Sequence, residues 1–380
     1  MKPSSAVALH DLGQSLWLDT ISDGLITSGE LAGLVSDGTI YGVTSNPTIF
    51  RSAIGGDQYG YPAAIARLAA EGASPDAIYD TLAIHDITRT ADLLAPTYER
   101  GTGRDGFVSL EVPPDLAHET DATVAEALRL WKAVARKNLL VKVPGTPAGV
   151  AAVETLIAAG VSVNVTLIFS RPQYAAVTAA YRRGLERRLA SGASLDGLHS
   201  VASVFVSRLD TAVDKEIDAR AAKASPAERA MLESLRGAAA VANAFDVWEE
   251  YRAQFFGPGF GALAKEGARP QWLLWASTGT KDPAYSDVKY VEELAGPDSI
   301  NTAPRETIDA WLDHGRVDGN RLDPRIDTAR ATRAALAKAG ISLEQHCQKL
   351  LDDGVGSFAR SFHGMMDTIR ERSAALAPRR

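Results

Sequence analysis

A chain of 380 residues that is 46% hydrophobic and 23% charged can bury a sizeable core, which excludes a disordered or low-complexity protein. Forty basic residues against 47 acidic ones give a formal charge of -7, so a broad nucleic-acid surface or adhesion to an anionic membrane is disfavoured, and small anionic ligands are left to local basic groups. The single cysteine, Cys347, cannot close an intramolecular disulfide, residues 1–18 lack the apolar stretch and cleavage site of a secretory signal, and no later run reaches membrane-spanning length; a soluble, cytoplasmic protein is expected.

Short strand-forming runs alternate with longer stretches of helical period. In chain order the expected strands are SLWLD ending at Asp19, YGVTSN ending at Asn46, GFVSLEV ending at Val112 and NLLVKV ending at Val143. They continue with VSVNVTLIF ending at Phe169, HSVASVFVS ending at Ser207, PQWLLWAS ending at Ser277 and DSINTAP ending at Pro304. Helices are expected over 119–136, where Leu128, Trp131 and Val134 fall near one face, and over 172–189, rich in Ala and Arg. Extra helices occupy 57–100 and 225–257. Strand–helix alternation implies a parallel sheet, and about eight repeats imply an α/β fold of the (β/α)8 TIM-barrel type. Residues 320–380 read as a helical tail, with turn signals at Gly340 and Gly354, packed on the barrel so that 1–380 forms a single domain.

Lys142 stands out because a charge in the middle of Asn138-Leu-Leu-Val-Lys-Val-Pro144 violates the apolar expectation for a strand buried on both faces. A lysine in a confined, weakly solvated site can supply a neutral amine that attacks a carbonyl and forms an iminium electron sink. The alternative is an exposed lysine at a strand end. Polar residues recur near the C-terminal ends of other strands: Asp19, Asn46, Glu111, Asn164 with Thr166, and Ser203. In an α/β barrel those ends converge on the face that carries the active site. Asn164 and Thr166, two apart, share a strand face. Schiff-base chemistry needs two carboxylates near the lysine, one to shuttle protons during water loss and one to take a hydroxyl proton during carbon–carbon cleavage, and Glu111 and Asp19 are the candidates. Taken singly, each could instead be a helix cap or a loop ion pair.

Ser207-Arg-Leu-Asp210 matches a capping pattern that places Arg208 in a first helical turn, a favourable place for an anion, although a surface arginine fits the same string. Ser277-Thr-Gly-Thr-Lys281 offers a second anion contact. Gly101-Thr-Gly-Arg-Asp-Gly106 matches GxGxxG but precedes a strand instead of following one, and Gly257-Pro-Gly-Phe-Gly261 lacks a nucleotide-cradle context; both read as turns. The histidines, among them His85, His118 and His199, have no HxxxH or HxH spacing, so no metal site is expected. No GxSxG elbow is present, and Cys347 lacks the context of a nucleophile.

WLDTIS, GVTSNPTIF, VSLEV, LLVKVPGT, VNVTLIFS and SVFVSRLD occur in this order, and on these segments the sequence resembles transaldolases, a similarity that runs from about Asp11 to the tail. WASTGTKDPAYSD and NTAP further resemble the longer bacterial branch of that family. The resemblance implies a class I aldolase-type barrel that transfers a dihydroxyacetone unit, without a cofactor, between sugar phosphates of the pentose phosphate pathway. The donor would be sedoheptulose 7-phosphate or fructose 6-phosphate, and the acceptor glyceraldehyde 3-phosphate or erythrose 4-phosphate. By position it implies Lys142 as the Schiff-base lysine, Glu111 as a proton shuttle through a water held with Thr166, and Asp19 as the acid/base for cleavage. Asn46, Asn164 and Ser203 would bind substrate hydroxyls, Phe205 would line the site, and Arg208 and Ser277 would lie at the phosphate. Where many members carry a second phosphate-binding arginine this chain has Gly279, with Lys281 nearby as a substitute that lacks arginine's planar fork.

Two other readings compete with transfer. A fructose-6-phosphate aldolase would release free dihydroxyacetone; those relatives are much shorter, and the helical tail here could shield the enamine from water. A non-catalytic sugar-phosphate binding protein could keep the barrel alone, against which stand Lys142, Glu111 and Asp19 together. Sequence reasoning does not reach the oligomeric state.

Overall fold

The structure is a computed structural model that describes residues 4–55, 60–101 and 103–376; positions 57–59 of the expected 57–100 insertion, Thr102 of the glycine-rich run and residues 1–3 of the N-terminal stretch lie outside it. Seven strands form one parallel sheet: β1 (Gln14–Leu18), β2 (Val108–Glu111), β3 (Leu139–Pro144), β4 (Val163–Ile168), β5 (Ser200–Phe205), β6 (Trp272–Ala276) and β7 (Ser299–Ala303). Their order is β1-β7-β6-β5-β4-β3-β2. Apart from the half-buried Trp272, every strand residue is buried, as expected of parallel strands covered by helices on one face and by one another's side chains on the other.

In the remaining expected strand, YGVTSN, the bridges fall on one residue. Val43 bridges Leu18 on one side and Val108 on the other, both in parallel sense. Backbone hydrogen bonds flank the bridges on both sides: Tyr41 N donates to the Leu16 carbonyl and Thr44 N to that of Leu18, while Val43 N donates to the Phe107 carbonyl and Ser109 N to that of Val43. Gly42 lies so close to Trp17 that an added Cβ would sit 2.4 Å from the indole Cε2, and Pro47, which has no N–H to give a ladder, already opens the helix Pro47–Gly55.

The insertion between the Val43 segment and β2 forms the helices Tyr61–Ala70 and Pro75–Arg100; the one between β5 and β6 forms Pro226–Glu233 and Ala239–Phe255. The expected helix over 119–136 runs Thr120–Val134, but its buried face is Thr123, Ala127, Leu130 and Val134, while Leu128 is exposed and Trp131 half-buried. The buried stripe is set by 3–4 spacing from Thr123, one position off the stripe that Leu128 would have defined. The helix over 172–189 is found as Arg171–Ala190, capped by Ser170.

The tail departs from expectation at one glycine. Gly340, with φ +75°, does end the helix Ile326–Lys338, but Gly354 lies inside an unbroken helix, Leu343–Leu376. Its function is close approach: a Cβ at Gly354 would lie 3.0 Å from Leu167 Cδ2. That helix packs against Pro47–Gly55, Tyr61–Ala70, Pro75–Arg100, the helix Ser207–Ala221 and β4, so it crosses the C-terminal side of the sheet. Among the described residues no helix is long and apolar enough to cross a membrane.

Candidate active site

The strand register brings the polar residues together. Glu111 pairs with Lys142, and Lys142 pairs with Asn164, so three consecutive strands present these side chains at one level. Thr166 follows two residues later opposite Pro144, on the face Asn164 occupies. The β4–β5 register shifts between Val165 and Ile168, around Thr166, and Leu167 adopts φ +59°. Such a bulge frees backbone groups that must be satisfied elsewhere. Gln173 does this: its Nε2 donates to the carbonyls of Leu167 and Gly145, both at 3.1 Å, and its Oε1 accepts from Phe169 N at 2.9 Å.

Lys142 is 4% exposed, which rules out the reading of a solvated strand-end lysine. Its Nζ donates to the Ser45 carbonyl at 3.0 Å and stands 3.6 Å from Glu111 Oε2. Burial pushes the Glu111 carboxyl up to about 7, with the Lys142 ammonium opposing and Asp19 adding to the rise. Glu111 Oε2 and Thr166 Oγ1 are buried without a hydrogen-bond partner among the described residues. Asn164 is held on both sides, donating from Nδ2 to Ser109 Oγ at 3.0 Å and accepting from Ser203 Oγ at 2.7 Å.

A cleft of about 510 Å³ opens above this layer. Lys142, Asp19, Asn46, Ser203, Phe205, Arg208, Ser277, Gly279 and Lys281 all line it, whereas Glu111, Asn164 and Thr166 lie beneath. Asp19 Oδ1 accepts from Thr44 Oγ1 at 2.6 Å, and Thr44 Oγ1 lies 2.7 Å from Thr302 Oγ1. A hydroxyl has one proton to give; since Thr44 gives its own to the carboxylate, Thr302 donates to Thr44. Asn46 caps the helix Pro47–Gly55: its Oδ1 accepts from the N–H groups of Thr48 and Ile49, both at 3.0 Å, which leaves its Nδ2 to the cleft.

On the opposite wall Arg208 lies in the first turn of the helix Ser207–Ala221, as the sequence predicts, but the capping pattern there is not used. Ser207 is the first helical residue and not the cap; its hydroxyl meets Ser277 Oγ at 3.1 Å. Asp210 is buried, accepting from Ala240 N, Lys289 Nζ and Tyr290 Oη. Ser277 has φ +54°, a conformation costly for a side chain with a Cβ, and its carbonyl accepts from Ser207 N at 3.0 Å. The chain after β6 is therefore fixed against the helix that carries Arg208. Lys281 is exposed at the cleft mouth, in a loop tied down by Arg236–Asp282 at 3.1 Å and Tyr285–Asp214 at 2.8 Å.

Among the described residues one group places possible metal-ligand atoms within 4.8 Å of one another: Asp23, His85 and Asp86. Spacing alone missed it because Asp23 comes from a different helix. Both carboxylates are already engaged, Asp23 by Arg89 at 2.5 Å and Asp86 by Tyr61 at 2.6 Å. His199 is buried, and desolvation pushes it down to about 4. Cys347 is buried, pushed up to about 12 by burial, and donates to the Phe169 carbonyl. A thiol so protonated is no nucleophile.

The model of the family Transaldolase/Fructose-6-phosphate aldolase matches residues 16–369, almost the whole chain. The chain belongs to that family. It is 48% identical over 358 residues to a transaldolase of Thiobacillus denitrificans, covering 94% of this chain and 97% of the relative. It is similar end to end to a transaldolase of Trichodesmium erythraeum, 40% identical over 381 residues with both chains fully covered. A transaldolase of Mycolicibacterium smegmatis is 44% identical, with 96% of each chain covered.

Against the transaldolase-type pattern expected from sequence, the departure at Gly279 has a steric correlate. A Cβ there would lie 3.2 Å from Pro304 Cγ and 3.3 Å from Thr307 Oγ1, so a side chain at this position meets crowding before it reaches the cleft. Sequence reasoning missed Thr44, Thr302 and Phe358, all of which line the cleft. Thr302 lies in the NTAP string and Thr44 in GVTSNPTIF, so both were within reach; Phe358 sits mid-helix in an amphipathic tail with nothing to distinguish it from core.

Proposed function

We propose that this protein is a transaldolase, transferring a dihydroxyacetone unit from a ketose phosphate, sedoheptulose 7-phosphate or fructose 6-phosphate, to the aldehyde of glyceraldehyde 3-phosphate or erythrose 4-phosphate in the pentose phosphate pathway. The observation that carries the reading is Lys142, a buried amine at the floor of a cleft that has Asp19 on one wall and Arg208 on another.

In this reading Lys142 Nζ attacks the donor's keto carbon. Glu111, poised near neutrality, moves protons through a water held with Thr166 as the carbinolamine loses hydroxide as water. Asp19 takes the proton of the hydroxyl beside the breaking carbon–carbon bond, the aldose leaves, and the enamine remains on Lys142 until an acceptor aldehyde arrives. Asn46, through its free amide nitrogen, and the Ser203–Asn164 pair bind sugar hydroxyls. Phe205 lines the cleft, and Arg208, Ser277 and Lys281 hold phosphate. The fold expected for this chemistry is a (β/α)8 barrel, which the Val43 bridges support as the place of the eighth strand, with the C-terminal helices part of the same domain. The unpaired thiol of Cys347 supports a cytoplasmic setting.

Transfer is favoured over simple aldol cleavage by the helix Leu343–Leu376, which brings Phe358 to the cleft and Phe362 to the recess beside Glu111. Borohydride reduction in the presence of fructose 6-phosphate, followed by peptide mass spectrometry, tests the chemistry. A reduced three-carbon adduct is expected on Lys142 and none in Lys142→Ala. An adduct on another lysine, or turnover retained by Lys142→Ala, would sink the proposal.

A further inference from the structure

The helix Leu343–Leu376 meets the charged wall of the cleft at Phe358 and at Gly354, where an added Cβ would lie 3.8 Å from Arg208 Nη1. The Arg208 guanidinium lies over the Phe205 ring, 5.1 Å from its centroid, and over the Phe358 ring at 6.0 Å. Among the described residues it has no hydrogen bond or ion pair with the protein, although burial has cost it hydration and lowered its pKa, with the Asp19 carboxylate opposing. A desolvated cation held by ring faces keeps its N–H fork unspent, ready for an incoming anion. Phe358 is 3% exposed, so its ring has little freedom to leave. Three residues on, Ser361 Oγ meets Thr48 Oγ1 at 3.0 Å, in the same helical turn that Asn46 caps. The helix thus touches both the Asn46 side and the Arg208 side of the cleft.

We infer that Phe358 is a positioning residue for Arg208: together with Phe205 it fixes the guanidinium so that the phosphate of a substrate meets a preset fork, which makes the C-terminal helix part of phosphate recognition. This rests on the proposed function for its choice of ligand, but its test does not require turnover.

The test is calorimetric titration of inorganic phosphate into the full-length wild type, Phe358→Leu, Arg208→Ala and the double variant. Phe358→Leu keeps an apolar filling and loses the ring face; phosphate affinity is expected to fall roughly three- to thirtyfold. Phe358→Tyr should restore it. In the Arg208→Ala background the same Phe358→Leu change should alter affinity less than twofold, because the residue acts through Arg208. In turnover, the KM for fructose 6-phosphate should rise by the factor seen for phosphate while kcat changes less than twofold. Phe358→Met serves as a second non-aromatic replacement if Phe358→Leu does not fold. Additive losses in the cycle, wild-type affinity in both non-aromatic variants, or no phosphate binding by the wild type would overturn the inference. Failure to trap an adduct on Lys142 would instead remove the transaldolase reading and leave the titration result standing.

Discussion

Glu111 and Lys142 face each other across the β2–β3 register with Oε2 and Nζ 3.6 Å apart, and both are buried. The carboxyl is pushed up to about 7 from an ordinary 4.5, so near neutrality it can both give and take a proton. Glu111→Gln should lower kcat by about a hundredfold or more and remove an inflection near pH 7 from the rate profile. A variant that keeps both the rate and the inflection would exclude Glu111 as the shuttle.

The same shift predicts a stability effect of definite sign. Because the folded value lies above the unfolded one, the native state binds more protons between them. Its contribution is fully present below about 4.5 and is lost as pH climbs through 7, by on the order of 3 kcal/mol. Urea denaturation from pH 4.5 to 8 should show a smaller decline in Glu111→Gln than in the wild type. An equal or steeper decline would contradict the assigned shift.

Asp19 is oriented by a two-hydroxyl relay, Thr302 to Thr44 to carboxylate, at 2.7 and 2.6 Å. Thr44→Val removes the donor and leaves the shape, so Asp19 should lose its fixed rotamer; a hydrogen bond to a charged group is worth about 1.5–3 kcal/mol. We expect kcat to fall roughly tenfold or more, with the Lys142 adduct still trapped, because cleavage follows Schiff-base formation. An unchanged rate would mean that Asp19 needs no partner.

Asn46 caps a helix through its Oδ1, and the proposed mechanism gives its Nδ2 to the substrate. Asn46→Asp keeps the oxygen that caps the helix Pro47–Gly55 and discards the amide donor, whereas Asn46→Ala loses both. Asn46→Ala should cost about 1 kcal/mol of stability and Asn46→Asp much less, while both weaken substrate binding. Thermal denaturation beside KM measurements decides this; equal binding by Asn46→Asp and the wild type would assign the residue to capping alone.

What could be read from sequence divides along a physical line. Lys142 was visible because a charge inside an apolar strand run is costly, and the neighbouring polar strand ends were visible because parallel strands align their C-terminal ends. Seven strands were found for the same reason, since buried parallel strands write continuous apolar runs. The Val43 segment has strand composition and joins both neighbours through its backbone, Thr44 N to Leu18 O and Val43 N to Phe107 O, although only Val43 forms bridges. Gly354 misleads because glycine reads as a break, and the reason for it is a leucine far away in the chain. The Thr44 relay and Phe358 depend on which helix lands on which rim, which local pattern does not encode.

Gly354 offers a test of how the C-terminal helix is seated. Alanine in a helix interior is favoured over glycine by about 1 kcal/mol, but a Cβ here would stand 3.0 Å from Leu167 Cδ2, so Leu167 must give way. Leu167 has little freedom, being buried and held at φ +59° in the β4 bulge. Gly354→Ala should therefore be near neutral, its helix gain offset by the contact, whereas Gly354→Val adds two methyls beyond that Cβ, between Leu167 and Arg208 Nη1, and should destabilise by about 1–3 kcal/mol. Because the same displacement lifts Phe358 from the cleft, Gly354→Val should also raise hydrolytic release of dihydroxyacetone relative to transfer. Thermal denaturation with product analysis from fructose 6-phosphate, with and without erythrose 4-phosphate, measures both. A stable Gly354→Val protein with an unchanged transfer ratio would mean that the helix is not seated through Leu167 and does not shield the enamine.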